Sequence, residues 1–306
     1  MKLPCLIKEM DFEAYLDDPA PAPSLTSSIV KKMLSSTPRH VWEENRRLNP
    51  DFEEEQKSMF DLGAASHHLL IGGGADLAVV DAKAWNTKVA KAARAAAYEE
   101  GLTPILEHQM ERAEAMAEVA EFEFVKNKDI GFLFHADTPM EPEASIFWDE
   151  GGICCRCRPD IYYKKKGEAP IIVHYKTTEV KISAHTLHTY AANQHWDVIH
   201  VHYHAGVKAL TGESPRQYFA IQENKPPYLC MVANLDGLFV SAAELLRKQI
   251  VQTWKYCLEK SFWPGHDINT LTLYPPPWHE NEKKIEAYEE KVVPGYLEGV
   301  KALHGK

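Results

Sequence analysis

The sequence has no excess of positive charge, no long apolar run and few cysteines, and each shortage removes a class of protein. Lysine and arginine number 34 against 44 aspartates and glutamates, a formal net charge of -10 over 306 residues. Non-specific nucleic-acid binding needs clustered cations against phosphates, so only a local basic track stays open. Lys31, Lys32, Arg39, Arg46 and Arg47 in the first helical region, and Lys164, Lys165 and Lys166 in a turn, are the candidates. The plain alternative for each is a solvated surface. No apolar run approaches the ~20 residues that cross a bilayer, and Met1 to Met10 lack the basic-then-apolar layout of a secretory signal. A soluble, cytoplasmic protein is expected. Six cysteines make no disulfide framework in a chain this long. Cys154, Cys155 and Cys157 share one predicted strand, where alternation puts Cys155 and Cys157 on one face and Cys154 on the other. Buried free thiols are expected there, with no cluster spacing.

What is present is ordinary globular composition, 45% hydrophobic and 25% charged, with enough apolar material for a substantial core. The stretch to about Pro23 is rich in acid and proline and reads as an irregular lead-in. Ser24 to Ser28 offer N-caps for a helix carrying Ile29, Val30, Met33 and Leu34, interrupted at Thr37-Pro38. Helical patterns follow near Phe52 to Leu70, stopped by Gly72 to Gly74, then near Ala84 to Glu100 and Pro104 to Lys126. After Gly131, Ala144 to Trp148, Ile153 to Arg158 and Pro170 to Tyr175 read as consecutive strands of one sheet. A long helix over Ser183 to Leu210, strands at Gln217 to Gln222 and Tyr228 to Leu235, and a helix over Ala242 to Leu258 complete an α/β pattern. We expect residues 1–130 to be a helical part of the same domain, and 131–306 to be the core with a Pro- and Trp-rich tail.

Arg158-Pro159-Asp160 ends one predicted strand and His174-Tyr175-Lys176 ends the next. Phosphodiester hydrolysis needs oxygen ligands for a hard divalent cation, plus a side-chain cation that orients water or offsets developing charge. Residues two apart on a strand point the same way, so an acid on one strand and acid-x-Lys on its neighbour supply both. Asp160 and Lys176 fit this scheme. His174 stands where the second acid is expected.

The surrounding text resembles the RecE-type exodeoxyribonuclease VIII branch of the PD-(D/E)XK nucleases over most of the chain. The similarity lies in Ser27-Ser28 with Ser36 to Trp42, in Leu62 to His67, and in Glu143 to Ile146 running through to Arg158-Pro159-Asp160. It continues in Glu223 to Tyr228, Trp263-Pro264-Gly265 and Leu273 to Trp278. The resemblance implies a restriction-endonuclease-like core, a mixed central sheet flanked by helices, with a helical N-terminal part. His67 and Asp160 would be metal ligands, Lys176 would position water, Glu143 and Glu223 match acidic positions, and Tyr203 matches the tyrosine of a Gln-x-x-x-Tyr motif. Arg158 and Lys164 to Lys166 are the expected DNA contacts. Mg²⁺ or Mn²⁺ is the implied cofactor and linear double-stranded DNA ends the substrate, in a phage or prophage recombination module inside a bacterial host cell. A single-strand annealing protein is the implied partner, and a trimer or tetramer the implied assembly.

Two positions depart from the family pattern: His174 replaces an acid, and Ile199 stands where the glutamine of Gln-x-x-x-Tyr is expected. His67, Asp160 and His174 together make a two-His-one-carboxylate set suited to Mn²⁺ or Fe²⁺. Three readings follow. The chain is an exodeoxyribonuclease; or a weakened homologue that binds DNA ends or a recombination partner; or an unrelated metal hydrolase using helix histidines such as His200 and His204, four residues apart on one face.

Overall fold

The β-branched run that starts at Ile171 is the centre of the computed structural model, which describes residues 1–53 and 62–274. In chain order the elements are β1 (Cys5–Ile7), α1 (Phe12–Leu16), α2 (Ser27–Ser35), α3 (Pro38–Glu43), α4 (Leu62–Ile71), β2 (Leu77–Val80), α5 (Lys88–Glu99), β3 (Thr103–Leu106) and α6 (Glu107–Phe124). A 3₁₀ turn (Gly131–Phe134) leads to β4 (Glu141–Pro142), β5 (Ser145–Asp149), β6 (Cys154–Cys157), β7 (Ile161–Tyr163), β8 (Ile171–Thr178), α7 (Ala184–Asn193), α8 (Trp196–Thr211), β9 (Arg216–Glu223), β10 (Cys230–Ala233) and α9 (Gly237–Lys260). Residues 1–265 form one compact unit. Residues 266–306 form another, described only over 266–274, which carry neither helix nor strand.

The main sheet has the order β10-β9-β8-β7-β4, with β8 and β9 parallel and the other pairs antiparallel. Parallel neighbours need a crossover, which α7 and α8 supply. Alternation along β8 gives its two faces different partners. Ile171, Val173 and Tyr175 join Phe124 and Ile130 in one cluster; Ile172 joins Val198, Val201 and Trp254 in another. At about 1.5–3 kcal/mol for each fully buried aliphatic or aromatic side chain, these two layers hold β8 rigidly. That rigidity matters because Lys176 sits near its end.

Several expectations are corrected. The three strands expected in one sheet divide between two: β5 and β6 pair with β1 in a three-stranded sheet, whereas β8 lies in the main sheet. The chain passes between the sheets as a bent ribbon, in which β4 pairs with β7 and β5 with β6. The bend falls where Pro159 offers no N–H and Glu143 takes φ 46°, a left-handed conformation costly for a residue with a Cβ. The lead-in is not irregular, since β1 and α1 form there; a three-residue strand gains its pairing from β5, not from its own pattern. Thr103 to Leu106 is a strand paired in parallel with β2, so the helix expected from Pro104 starts at Glu107. The helix expected from Ala84 starts at Lys88, capped by the Thr87 side chain.

The long helix is two, broken at His195 with φ 52°, which lets Trp196 stack in parallel on Phe219 at 4.7 Å. The helix expected from Phe52 is described from Leu62, and residues 54–61 and Pro275 to Trp278 lie outside the described residues. As expected, Cys154, Cys155 and Cys157 are buried free thiols, with Cys155 and Cys157 in one cluster and Cys154 in another. Among the described residues no helix is long and apolar enough to cross a membrane.

Candidate functional site

The bend in the ribbon gathers the first part of the site. The Glu143 amide donates to the Asp160 carbonyl at 3.1 Å, so the two acids face each other across it. Arg158 fixes Glu143: Nε and Nη2 reach Oε2 at 3.2 and 2.7 Å. From the other side the Gly74 amide donates to the same oxygen at 2.9 Å. The carboxylate lies flat on Gly73, where a Cβ would come within 2.5 Å of Glu143 Cγ and Cδ. The glycine run that stops α4 therefore also makes room for an acid 70 residues later (143 minus 73).

α4 delivers His67 between the two acids. Its Nε2 lies 3.4 Å from Asp160 Oδ1 and its Nδ1 3.7 Å from Glu143 Oε1. Burial alone would depress the imidazole, but the hydrogen bond to Asp160 and the charges of Asp160 and Glu143 outweigh it and raise the pKa above its ordinary value. From β8, the Tyr175 amide donates to Asp160 Oδ2 at 2.6 Å and Lys176 Nζ lies 3.3 Å from the same oxygen. Burial pushes Asp160 up; Lys176 and His67 reverse that and hold it well below the usual carboxylate range. Asp160 is thus ionised at every physiological pH. Glu143, His67, Tyr175 and Lys176 line a cleft of about 430 Å³, together with Phe12, Leu77 and Thr103.

His174 stands apart from this group. It is 1% exposed, stacks on Phe219 at 4.9 Å and meets Tyr203 edge-on at 4.7 Å. Its Nε2 faces Gln217 Oε1 at 3.3 Å. Burial, and secondarily the charge of Lys176, push its pKa down to about 3, so the ring is neutral. Ile199, the second departure, belongs to the apolar cluster around Phe219. The two departures therefore accompany one change in character: this face of the sheet is closed by aromatic and aliphatic packing. Tyr203 donates to the Arg158 carbonyl at 3.1 Å, bracing the bend from below.

Of the expected DNA contacts, Arg158 lies at the site and the three lysines lie away from it. Arg158 is committed to Glu143, to the Met10 carbonyl at 2.9 Å and to Ser145, with a side chain only 10% exposed. It positions the acid. Lys164 pairs with Glu213 and Lys165 with Glu168, in a turn that enters the opposite end of β8. Five residue steps along β8 separate Ile171 from Lys176, about 17 Å. Lys166 is exposed in that same turn. On α2, Lys31 is close enough to Lys176 that its pKa is lowered, by burial first and by that neighbouring charge second. Glu223 accepts from the Ile182 amide at 2.8 Å and fixes the loop before α7.

The helix histidines do not form a second centre. His202 is fully buried between the Arg156 carbonyl and Arg247. The rings of His200 and His204 are 6.4 Å apart. Among the described residues no three His, Cys, Asp or Glu side chains converge as a ready metal cage, here or in the cleft. Phe12 and Gln217 carry no mark in the sequence, because each acts through a tertiary neighbour; Gly73 is marked only as part of the break after α4.

No protein-family model matches the chain, and no curated protein matches it. A candidate exonuclease from Eubacterium rectale, known from its crystal structure, aligns with a TM-score of 0.55 over 88% of this chain and 97% of its own, at 11% identity. A second solved structure covers 72% of this chain and 82% of its own at 11% identity, with a TM-score of only 0.24, and has no bearing on the fold. The chain has a mixed α/β fold like that of the Eubacterium rectale protein, and at this identity the likeness is one of fold alone.

Proposed function

We propose that this protein is a metal-dependent exodeoxyribonuclease of the PD-(D/E)XK kind, acting on linear double-stranded DNA from an end. One observation carries the reading: His67, Glu143 and Lys176, from a helix, a strained bend and a central strand, line one cleft, and Asp160 contacts both His67 and Lys176. Two carboxylates and an imidazole are a donor set that suits Mg²⁺ or, better, Mn²⁺. Asp160 and Glu143 would hold the ion with His67, so Glu143 supplies the second acid that the strand itself lacks. When bound, such an ion polarises a phosphoryl oxygen and lowers the pKa of water.

The remaining work falls to the chain. Asp160 stays anionic because Lys176 flanks it, and its Oδ2 is fixed by the Tyr175 amide. Lys176 lines the cleft from a rigid strand, placed to orient the attacking water and to offset the charge that develops on the phosphoryl group as the P–O bond breaks. His174 takes no part in this chemistry; it holds the floor of β8 against α8.

A DNA-end binder without cleavage is the competing reading, favoured by the loss of a strand acid at His174. Incubation of linear and covalently closed duplex DNA with Mg²⁺ or Mn²⁺ separates them. Acid-soluble nucleotides from the linear form alone, lost in Lys176→Ala, support the exonuclease. Retarded DNA without degradation supports the binder.

A further inference from the structure

α1 contributes one residue, Phe12, to the lining of the cleft. Arg158 reaches past Glu143 to bind the Met10 carbonyl, and its guanidinium carbon lies 5.6 Å from the Phe12 ring centre and 5.5 Å from that of Tyr15. Tyr15 turns inward, 9% exposed, and meets Phe147 edge-on at 6.2 Å. Phe12 turns outward and is 43% exposed, yet it lines the same cleft as Lys176 and Glu143. A large aromatic face is thus anchored by a cation that also positions the acid, and is left open toward the space a substrate would enter. Leaving an aromatic ring in water forfeits burial energy, and its position over a buried arginine makes the ring a fixed platform.

We propose that Phe12 is the stacking platform for an unpaired terminal nucleobase of the DNA strand entering the cleft, with the adjoining phosphate toward Lys176. This rests on the nuclease reading and narrows its substrate to an end whose last base is free to stack on the ring. A cleft of about 430 Å³ is of the size that takes a small ligand such as one nucleotide. Every base has a π-face, so such a platform holds any terminal base without selecting sequence.

Affinity for a duplex with a normal terminal nucleotide is compared with affinity for the same duplex carrying an abasic terminal nucleotide, at each strand end in turn, by fluorescence polarisation with Ca²⁺ as the cation. Wild type is expected to lose about tenfold on removal of one particular terminal base. Phe12→Ala and Phe12→Leu should bind the normal end about tenfold more weakly than wild type and show no further loss at the abasic end. Phe12→Tyr, which keeps the ring, should behave as wild type. Equal sensitivity to the abasic end in wild type and Phe12→Leu, with DNA still degraded by wild type, overturns the platform and leaves the nuclease reading intact. Absence of both DNA binding and degradation by wild type overturns both.

Discussion

Arg158 grips Glu143 through two donors to a single oxygen, across a ribbon bend where Glu143 adopts a left-handed backbone. The strained residue is the one that presents a carboxylate to the cleft, a pattern common where geometry is held for chemistry. Arg158→Ala would leave that largely buried carboxylate without its guanidinium partner and release the Met10 carbonyl that ties down α1. A loss of about 3 kcal/mol is expected, read as a lower urea midpoint with unchanged slope. Arg158→Lys should recover only part of it, since an ammonium cannot reproduce the fork. A change below about 0.5 kcal/mol in Arg158→Ala would show that the pair is not structural.

Gly73→Ala tests the seat of Glu143 from the opposite side. No left-handed backbone is required at position 73, but the added Cβ would lie 2.5 Å from Glu143 Cγ and Cδ. The acid must move while the fold stays. DNA degradation should fall at least about tenfold with a melting temperature within a few degrees of wild type, because an ångström-scale displacement at a reacting centre costs far more in rate than in stability. Unchanged degradation would mean that the position of Glu143 is irrelevant to the reaction.

His174 invites replacement by the acid that the proposed nuclease reading expects there, and the structure predicts the consequence. An aspartate at a position 1% exposed, against Phe219 and Tyr203, is a buried carboxylate among aromatic rings. His174→Asp should lower stability by about 2–4 kcal/mol in the absence of divalent cation. His174→Gln, which keeps a donor for Gln217, should cost less than half of that. Equal stability of the two variants by urea denaturation would contradict the packing role.

His202 makes the fold sensitive to acid. It is neutral in the native state, bonded to the Arg156 carbonyl and to Arg247, and burial, then the Arg247 charge, push its pKa down to about 3. The unfolded chain takes up this proton near the ordinary value of about 6.5. Between those values the unfolded state binds more protons, so stability is full above about pH 6.5 and falls as pH drops toward 3. Urea midpoints measured from pH 7 to 4.5 should decline, and the decline should be shallower by up to about one proton in His202→Gln. An identical pH slope in that variant would refute the assignment.

Much of this was legible in the sequence, and what was hidden has a physical cause. The α/β alternation, the buried cysteine faces and the pairing of Asp160 with Lys176 followed from strand periodicity and spacing. The break at His195 did not, because it is stabilised by the stack of Trp196 on Phe219, a contact between distant residues. The split of the strands into two sheets was hidden for a similar reason: Glu143 and Pro159 bend the ribbon only because they face each other. The expectation for Arg158 placed it near the site, but charge alone does not reveal that most of its donors serve Glu143, Met10 and Ser145. His174 looked like a ligand by register, and its register holds; what register omits is that the ring is enclosed by Phe219, Tyr203 and Gln217.

The central claim is that Asp160 and Glu143, and not His174, provide the site for a divalent cation. Calorimetric titration of Mn²⁺ into the wild-type protein and into Asp160→Ala, Glu143→Gln and His174→Gln tests it most directly. The account predicts saturable binding by wild type, lost in Asp160→Ala, weakened at least about tenfold in Glu143→Gln, and changed less than about threefold in His174→Gln. Binding that survives Asp160→Ala, or that disappears in His174→Gln while the protein stays folded, would contradict it.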